Sequence, residues 1–179
     1  MAKIHVLLKK EELDRERLAG KTVIVLDVLF ATSTLVAALG HGAAAHIYAA
    51  ALLNGGAVVR HVARTHPDET VLIVCSGSAD NFNLEDFYAA GRLVALFERD
   101  CPGHEYSDAA IAARLLAERN DAGDCLRGAR VGRMMEARGL ADEVDYAARS
   151  DRFDVVPKFE DDRLRDCADH GPLPVAGTR

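Results

Sequence analysis

The sequence predicts an α/β protein built on parallel strands, and two stretches carry that prediction. The first is Thr70 to Gly91, TVLIVCSGSADNFNLEDFYAAG. Val71 to Cys75 is an unbroken apolar run, the pattern of a strand covered on both faces. Ser76-Gly77-Ser78-Ala79 breaks the run with small residues. Asn83 stands as an N-cap, with Glu85 and Asp86 in the first helical turn. The second stretch, Thr22 to Leu39, repeats the logic: TVIVLDVL, then Ala31-Thr32-Ser33-Thr34 at the opening of a helix. Composition agrees with a single domain. The chain has 179 residues, of which 49% are hydrophobic, enough to bury a proper core.

The remaining elements follow in chain order. Lys3 to Leu8 is a short strand, and the charged Lys9 to Ala19 a short surface helix ending near Gly20. His46 to Ala51 reads as a strand, Leu52 to Asn54 as a turn, and Ala57 to Ala63 as a helix after Gly55-Gly56. Arg64 to Glu69 is a polar connector. The helix that opens at Asn83 continues through Leu96. Pro102 to Ser107 is a loop, and Asp108 to Arg119 an alanine-rich helix capped by Ser107 or Asp108. Leu126 to Arg138 is a further helix, with Gly139 as its C-cap. Asp142 to Arg149 is a shorter one, and Val155 to Phe159 a closing extended segment. One domain is expected over residues 1–162, with a polar tail over 163–179.

Charge and composition exclude several classes of function. A net charge of -6 speaks against nucleic acid as a partner. No apolar run is long enough to span a bilayer, and Met1 to Lys10 lacks a signal-peptide core. The four cysteines, Cys75, Cys101, Cys125 and Cys167, form no CxxC pair and read as reduced thiols, so a cytoplasmic protein is expected.

The chemistry sits at the strand ends. Small residues and free N–H groups at a strand-to-helix turn suit an anion. Carboxylates beside them suit a hard cation such as Mg²⁺. A phosphate ester with its metal fits both. Asp27, inside apolar sequence at the end of its strand, is either a metal ligand or a cap on the next helix. Glu85 and Asp86 are either metal ligands and acid–base groups or first-turn carboxylates favoured by the helix dipole. Cys75 lacks the arginine six positions on that a cysteine phosphatase requires, Asn81 standing there instead, and reads as a buried or site-lining thiol. Leu29 stands where an aspartyl-phosphate enzyme would want a second aspartate. None of the seven histidines pairs at metal spacing on a helix, and His41 and His46 read as surface or turn positions. Arg127, Arg130 and Arg133 form a basic helical face, solvated or at a dimer contact.

Asp27-Val28-Leu29-Phe30-Ala31-Thr32-Ser33-Thr34 resembles the "DVLRATST" segment of the 2-phosphosulfolactate phosphatases. Val74-Cys75-Ser76-Gly77 with Phe82-Asn83-Leu84-Glu85-Asp86 and Ala90-Gly91 is similar to that family's "CAGT…FSLEDxxxAG" segment. Ala51-Leu52-Leu53-Asn54 resembles its "SLLN" turn, Ser107-Asp108-Ala109-Ala110 its "DDA" helix start, and Val156-Pro157 its C-terminal Val-Pro. The matching segments run in family order from about Lys3 to Asp161. Two features differ: the family's middle Thr-Asn-Gly-Thr segment is missing, and Phe30 stands where the family usually has arginine.

The resemblance implies an αβα sandwich with a mainly parallel or mixed sheet, commonly a homodimer. It implies a Mg²⁺-dependent phosphatase that hydrolyses 2-phosphosulfolactate, or a related 2-phospho acid, to sulfolactate and phosphate. In archaeal members this step belongs to coenzyme M biosynthesis. The expected roles are metal binding by Asp27 with Glu85 or Asp86, acid–base chemistry by Asp86, and substrate binding by Thr32, Ser33, Asn54, Cys75, Ser76, Gly77 and Ser78. The alternative is a non-catalytic relative that keeps the scaffold as a binding domain.

Overall fold

The computed structural model describes residues 2–29, 46–161 and 163–168. They form an α/β sandwich whose sheet has seven strands: β1 (Lys3–Leu7), β2 (Lys21–Leu26), β3 (His46–Ala50), β4 (Thr70–Cys75), β5 (Glu105–Tyr106), β6 (Pro157–Glu160) and β7 (Arg163–Asp166). Their order is β5-β1-β4-β2-β3-β6-β7. The first five are mutually parallel, while β6 and β7 add an antiparallel edge. The helices among the described residues are α1 (Gly55–Thr65), α2 (Leu84–Asp100), α3 (Asp108–Arg119), α4 (Ala122–Gly128), α5 (Arg130–Glu136) and α6 (Ala141–Ala147).

The two strands that stood out in the sequence, β2 and β4, are neighbours at the centre of the sheet. They are the most continuously buried strands, as their unbroken apolar runs require. Their register pairs Leu26 with Cys75. Asp27 and Ser76 therefore leave the sheet side by side. The chain departs from β2 towards β3 on one side and from β4 towards β5 on the other. Such a switch of direction opens a crevice at the carboxyl ends of a parallel sheet.

The main core lies on one face. It joins Ile4, Ile24, Leu26, Tyr48, Ile73 and Cys75 of the sheet to buried residues of all six described helices. On the other face Val23, Val25, Ile47 and Val74 pack with Leu18 and Leu13. Helix α2 presents Tyr88, Ala89, Ala90, Leu93, Val94 and Phe97 to the core. The alanine stripe Ala110, Ala113 and Ala117 of α3 packs closely against it. None of the described helices is long and apolar enough to cross a membrane.

Several local expectations are corrected. Lys9 to Ala19 is not one helix but two 3₁₀ turns, Lys10–Glu12 and Arg15–Arg17, the second capped by the Asp14 side chain. Helix α1 begins at Gly55, so the glycine pair lies inside its first turn. There Asp151, 95 residues away, caps it by accepting from the Gly56 N–H at 2.6 Å. A Cβ on Gly56 would sit 2.7 Å from that carboxylate oxygen. The expected helix from Leu126 to Arg138 is two helices, because Ala129 takes an extended conformation (ψ 157°) and turns the chain between α4 and α5. Arg163–Asp166, assigned to a polar tail, pairs with β6 along its whole length. The helix expected after Ala31 lies outside the described residues.

Gly91 explains part of one family-like segment. A Cβ there would lie 2.0 Å from the Ala113 carbonyl oxygen and 2.9 Å from the Ala117 Cβ. Gly91→Ala must push α3 off α2 and should destabilise the fold by about 1–3 kcal/mol. A lowered urea midpoint at unchanged slope is the expected result; an unchanged midpoint would show that the two helices are not in this contact.

Candidate functional site

The site is built where β2 and β4 end. The Ser76 N–H donates to the Leu26 carbonyl at 2.8 Å and extends the strand pairing by one bond. Helix α2 then brings two carboxylates beneath the two strand ends. Asp86, 1% exposed, accepts from the Val28 N–H at 3.1 Å with one oxygen and from the Gly77 N–H at 3.2 Å with the other. One side chain thus ties together the segments that follow β2 and β4. Glu85 is equally buried, and its Oε2 has no hydrogen-bond partner. The Ser76 hydroxyl is also buried without one. Asp27, half-buried, lies close enough to raise the proton affinity of both acids.

Burial dominates the electrostatics. It pushes the Asp86 carboxyl up to about 7, with the Asp27 and Glu85 charges adding to the rise and the Val28 and Gly77 N–H groups opposing it. Burial also raises Glu85, against the pull of Arg130. Among the described residues, the buried Glu85 and Asp86 lie beside the half-buried Asp27, with the Arg130 guanidinium acting on Glu85.

Arg130 was not singled out for the site by the sequence. It belongs to the Arg127, Arg130, Arg133 series, but the break at Ala129 separates their directions. Arg127 pairs with Asp145, and Arg133 donates to the Gly128 carbonyl. Arg130 instead reaches the loop after β4, donating to the Ser78 hydroxyl and, at 3.1 Å, to Asn83 Oδ1. Lys10 is a second cation there, its ammonium 3.3 Å from the Ser76 carbonyl. No sequence pattern marks either residue, since both approach from elements distant in the chain.

The loop Ser76-Gly77-Ser78 differs from the anion cradle expected. Its N–H groups are already engaged: Ser76 with Leu26, Gly77 with Asp86, and Ser78 with the Asn81 carbonyl at 3.0 Å. Asn83 stands at the N-cap position of α2 but its side chain does not cap. Its oxygen accepts from the Ser78 hydroxyl at 3.0 Å and from Arg130. Asn54 is a turn residue: its oxygen accepts from the Ala51 N–H at 2.8 Å and its amide donates to the Ala49 and Val155 carbonyls. Cys75 is fully buried in the main core, and burial drives its thiol well above the ordinary range, so it stays protonated and does not line the site. Thr32 and Ser33 lie outside the described residues.

The donor set suits a hard cation in kind, since Glu85 offers a buried carboxylate oxygen with nothing to hold. The three carboxylates are not drawn to one point. Among the described residues, the set of three side chains whose ligand atoms lie within 4.8 Å of one another is a different one, His46, His66 and Glu69.

Fold and site together define an α/β protein with a cluster of carboxylates at the carboxyl ends of its parallel strands. The chain belongs to the 2-phosphosulpholactate phosphatase family, whose model matches residues 43–162. Relatives named "Probable 2-phosphosulfolactate phosphatase" include proteins from several bacteria. The one from Deinococcus radiodurans is 31% identical over 140 residues, which is 78% of this chain and 56% of the relative. The Gloeobacter violaceus protein is 34% identical over 145 residues, 80% of this chain and 57% of the relative. The Caldanaerobacter subterraneus protein is 28% identical over 159 residues, 86% and 62% respectively. The chain therefore spans less than two thirds of the length of these relatives.

A carboxyl that titrates near 7 has a definite consequence for stability. The unfolded chain releases this proton near pH 4, the folded chain only near 7. Asp86 therefore favours folding most in acid, and its contribution is lost progressively as pH rises from about 4 to about 7. Carbon-13 NMR of the Asp86 carboxyl should show a midpoint near 7. A midpoint near the ordinary 3.9 would mean that the carboxyl is open to water.

Proposed function

We propose that this chain is a Mg²⁺-dependent phosphomonoester hydrolase acting on 2-phosphosulfolactate or a closely related 2-phospho acid. The observation that carries the proposal is the set of the buried Glu85 and Asp86 with the half-buried Asp27 at the β2 and β4 ends, in a chain of this family. The relatives' names supply the substrate, and the site's chemistry is in keeping with it. Asp27 and Glu85 would hold the metal, because Asp86 already spends both oxygens on backbone N–H groups. When bound, Mg²⁺ would offset the phosphate charge and act as a Lewis acid.

The chain's own groups have distinct tasks in this scheme. Asp86, proton-bearing near neutral pH and fixed by two N–H donors, is the acid–base group that serves the leaving alkoxide. Arg130 supplies a positive charge for the phosphoryl or sulfonate oxygens, a role that the family-usual arginine cannot fill here because Phe30 takes its place. The Ser76 hydroxyl remains as a donor, since the loop's N–H groups and the Ser78 hydroxyl are taken. A cytoplasmic homodimer belongs to the same proposal, supported by four free cysteines and the family resemblance.

One observation favours a second reading, a non-catalytic scaffold. The Gly77 and Ser78 N–H groups already bond within the protein. A phosphate-release assay separates the two. With 2-phosphosulfolactate, phospholactate and phosphoglycolate, release is expected with Mg²⁺ and not with chelator. Asp27→Asn should lower kcat by at least about 100-fold, and Arg130→Gln should mainly raise KM. A folded, stable wild-type chain that releases no phosphate from any of the three would establish the scaffold reading instead.

A further inference from the structure

We propose a second cation site at the opposite end of the sheet, formed by His46, His66 and Glu69 and suited to Zn²⁺ or a similar late first-row dication. It lies where the parallel strands begin, away from the carboxyl-end crevice. His46 opens β3, His66 closes α1 as its C-cap residue, and Glu69 stands just before β4.

Its geometry fits a tetrahedral ion with an open position. Glu69 Oε1 lies 3.5 Å from His46 Nε2 and 3.3 Å from His66 Nδ1. Ligand atoms held about 2.1 Å from a tetrahedral zinc are about 3.4 Å apart, so both separations match. Two imidazoles and one carboxylate are also the donor types that zinc takes when it keeps a fourth position for water.

The surroundings hold each ligand in place. His66 Nε2 is 2.9 Å from the Tyr48 hydroxyl. With that nitrogen donating its hydrogen to Tyr48, Nδ1 turns a lone pair towards Glu69, as a metal ligand should. Glu69 spends its other oxygen on the Thr22 hydroxyl at 2.7 Å, leaving Oε1 for the ion. Outer partners of this kind orient ligands at metal centres. His66 and Glu69 are part-buried, whereas the His46 side chain is 41% exposed and provides the entry path. The His46 and His66 rings are stacked with centroids 3.9 Å apart. Two imidazoles on one tetrahedral ion lie about 5 Å apart, so loading turns the exposed His46 ring outwards. The bound ion would fasten the α1–β4 connection to the first residue of β3. It would also raise the melting temperature by mass action.

The test uses the full chain, stripped with chelator and dialysed. Zn²⁺ is titrated calorimetrically, and Co²⁺ is followed by its visible absorption. One equivalent of Zn²⁺ is expected, with the intense cobalt bands of a four-coordinate site and a higher melting temperature. His46→Ala and Glu69→Gln should each weaken binding more than 100-fold. Thr22→Val, which removes only the outer partner, should weaken it about 10-fold to 100-fold. Asp27→Asn should leave it unchanged, which separates this site from the carboxyl-end crevice. His46 is exposed, so His46→Ala keeps the test valid should the buried variants misfold. No saturable binding, or binding indifferent to both His46→Ala and Glu69→Gln, would overturn the proposal and leave an ordinary histidine–glutamate pair.

Discussion

The structure of the candidate site depends on one buried carboxylate. Asp86 accepts from an N–H after β2 and from an N–H after β4, and so makes a single platform of two segments 49 residues apart in the chain. Burying a carboxylate is costly, and two neutral N–H donors offset only part of the cost. The remainder appears as a carboxyl that holds its proton to about pH 7. The same carboxyl that joins the loops therefore also exchanges its proton near neutral pH, and Glu85 beside it is left with an oxygen unspent.

The sheet topology places that carboxylate. β4 inserts between β1 and β2, so the two apolar strands lie in register and end together. Helix α2 follows β4 directly and carries Glu85 and Asp86 in its first turn, under both strand ends. Its close approach to α3 at Gly91 fixes its height over the sheet. The crevice is thus a consequence of strand order, helix start and one small residue, each of which the sequence writes in its own terms.

Much of this was legible in the sequence. The continuous apolar runs of β2 and β4, the acid after one and the small residues after the other identified the two strand ends, and their juxtaposition followed from parallel topology. The misreadings have a common cause: groups expected to face a ligand are satisfied by the protein itself. Gly77 and Ser78 look free in sequence because Asp86 and Asn81, which take their N–H groups, are not adjacent. Asn54 looks like a site residue but holds its own turn. Arg130 was hidden because one extended residue, Ala129, splits a segment whose periodicity reads as a single helix. His46, His66 and Glu69 could not be grouped at all, since strand pairing and the length of α1 bring them together rather than any helical spacing.

Both ends of the parallel sheet therefore carry a set of groups that suits a cation, of different chemistry: oxygens at the carboxyl ends, nitrogens and one oxygen at the amino ends. Phosphate hydrolysis would draw on the oxygens at the carboxyl ends. Manganese, which prefers oxygen ligands, reports on them through anomalous diffraction from crystals soaked in Mn²⁺. A peak within bonding distance of Glu85 and Asp27 is the expected result. Its absence there, in crystals of a chain that hydrolyses phosphate esters with Mn²⁺, would contradict the assignment of these carboxylates as the metal-binding site.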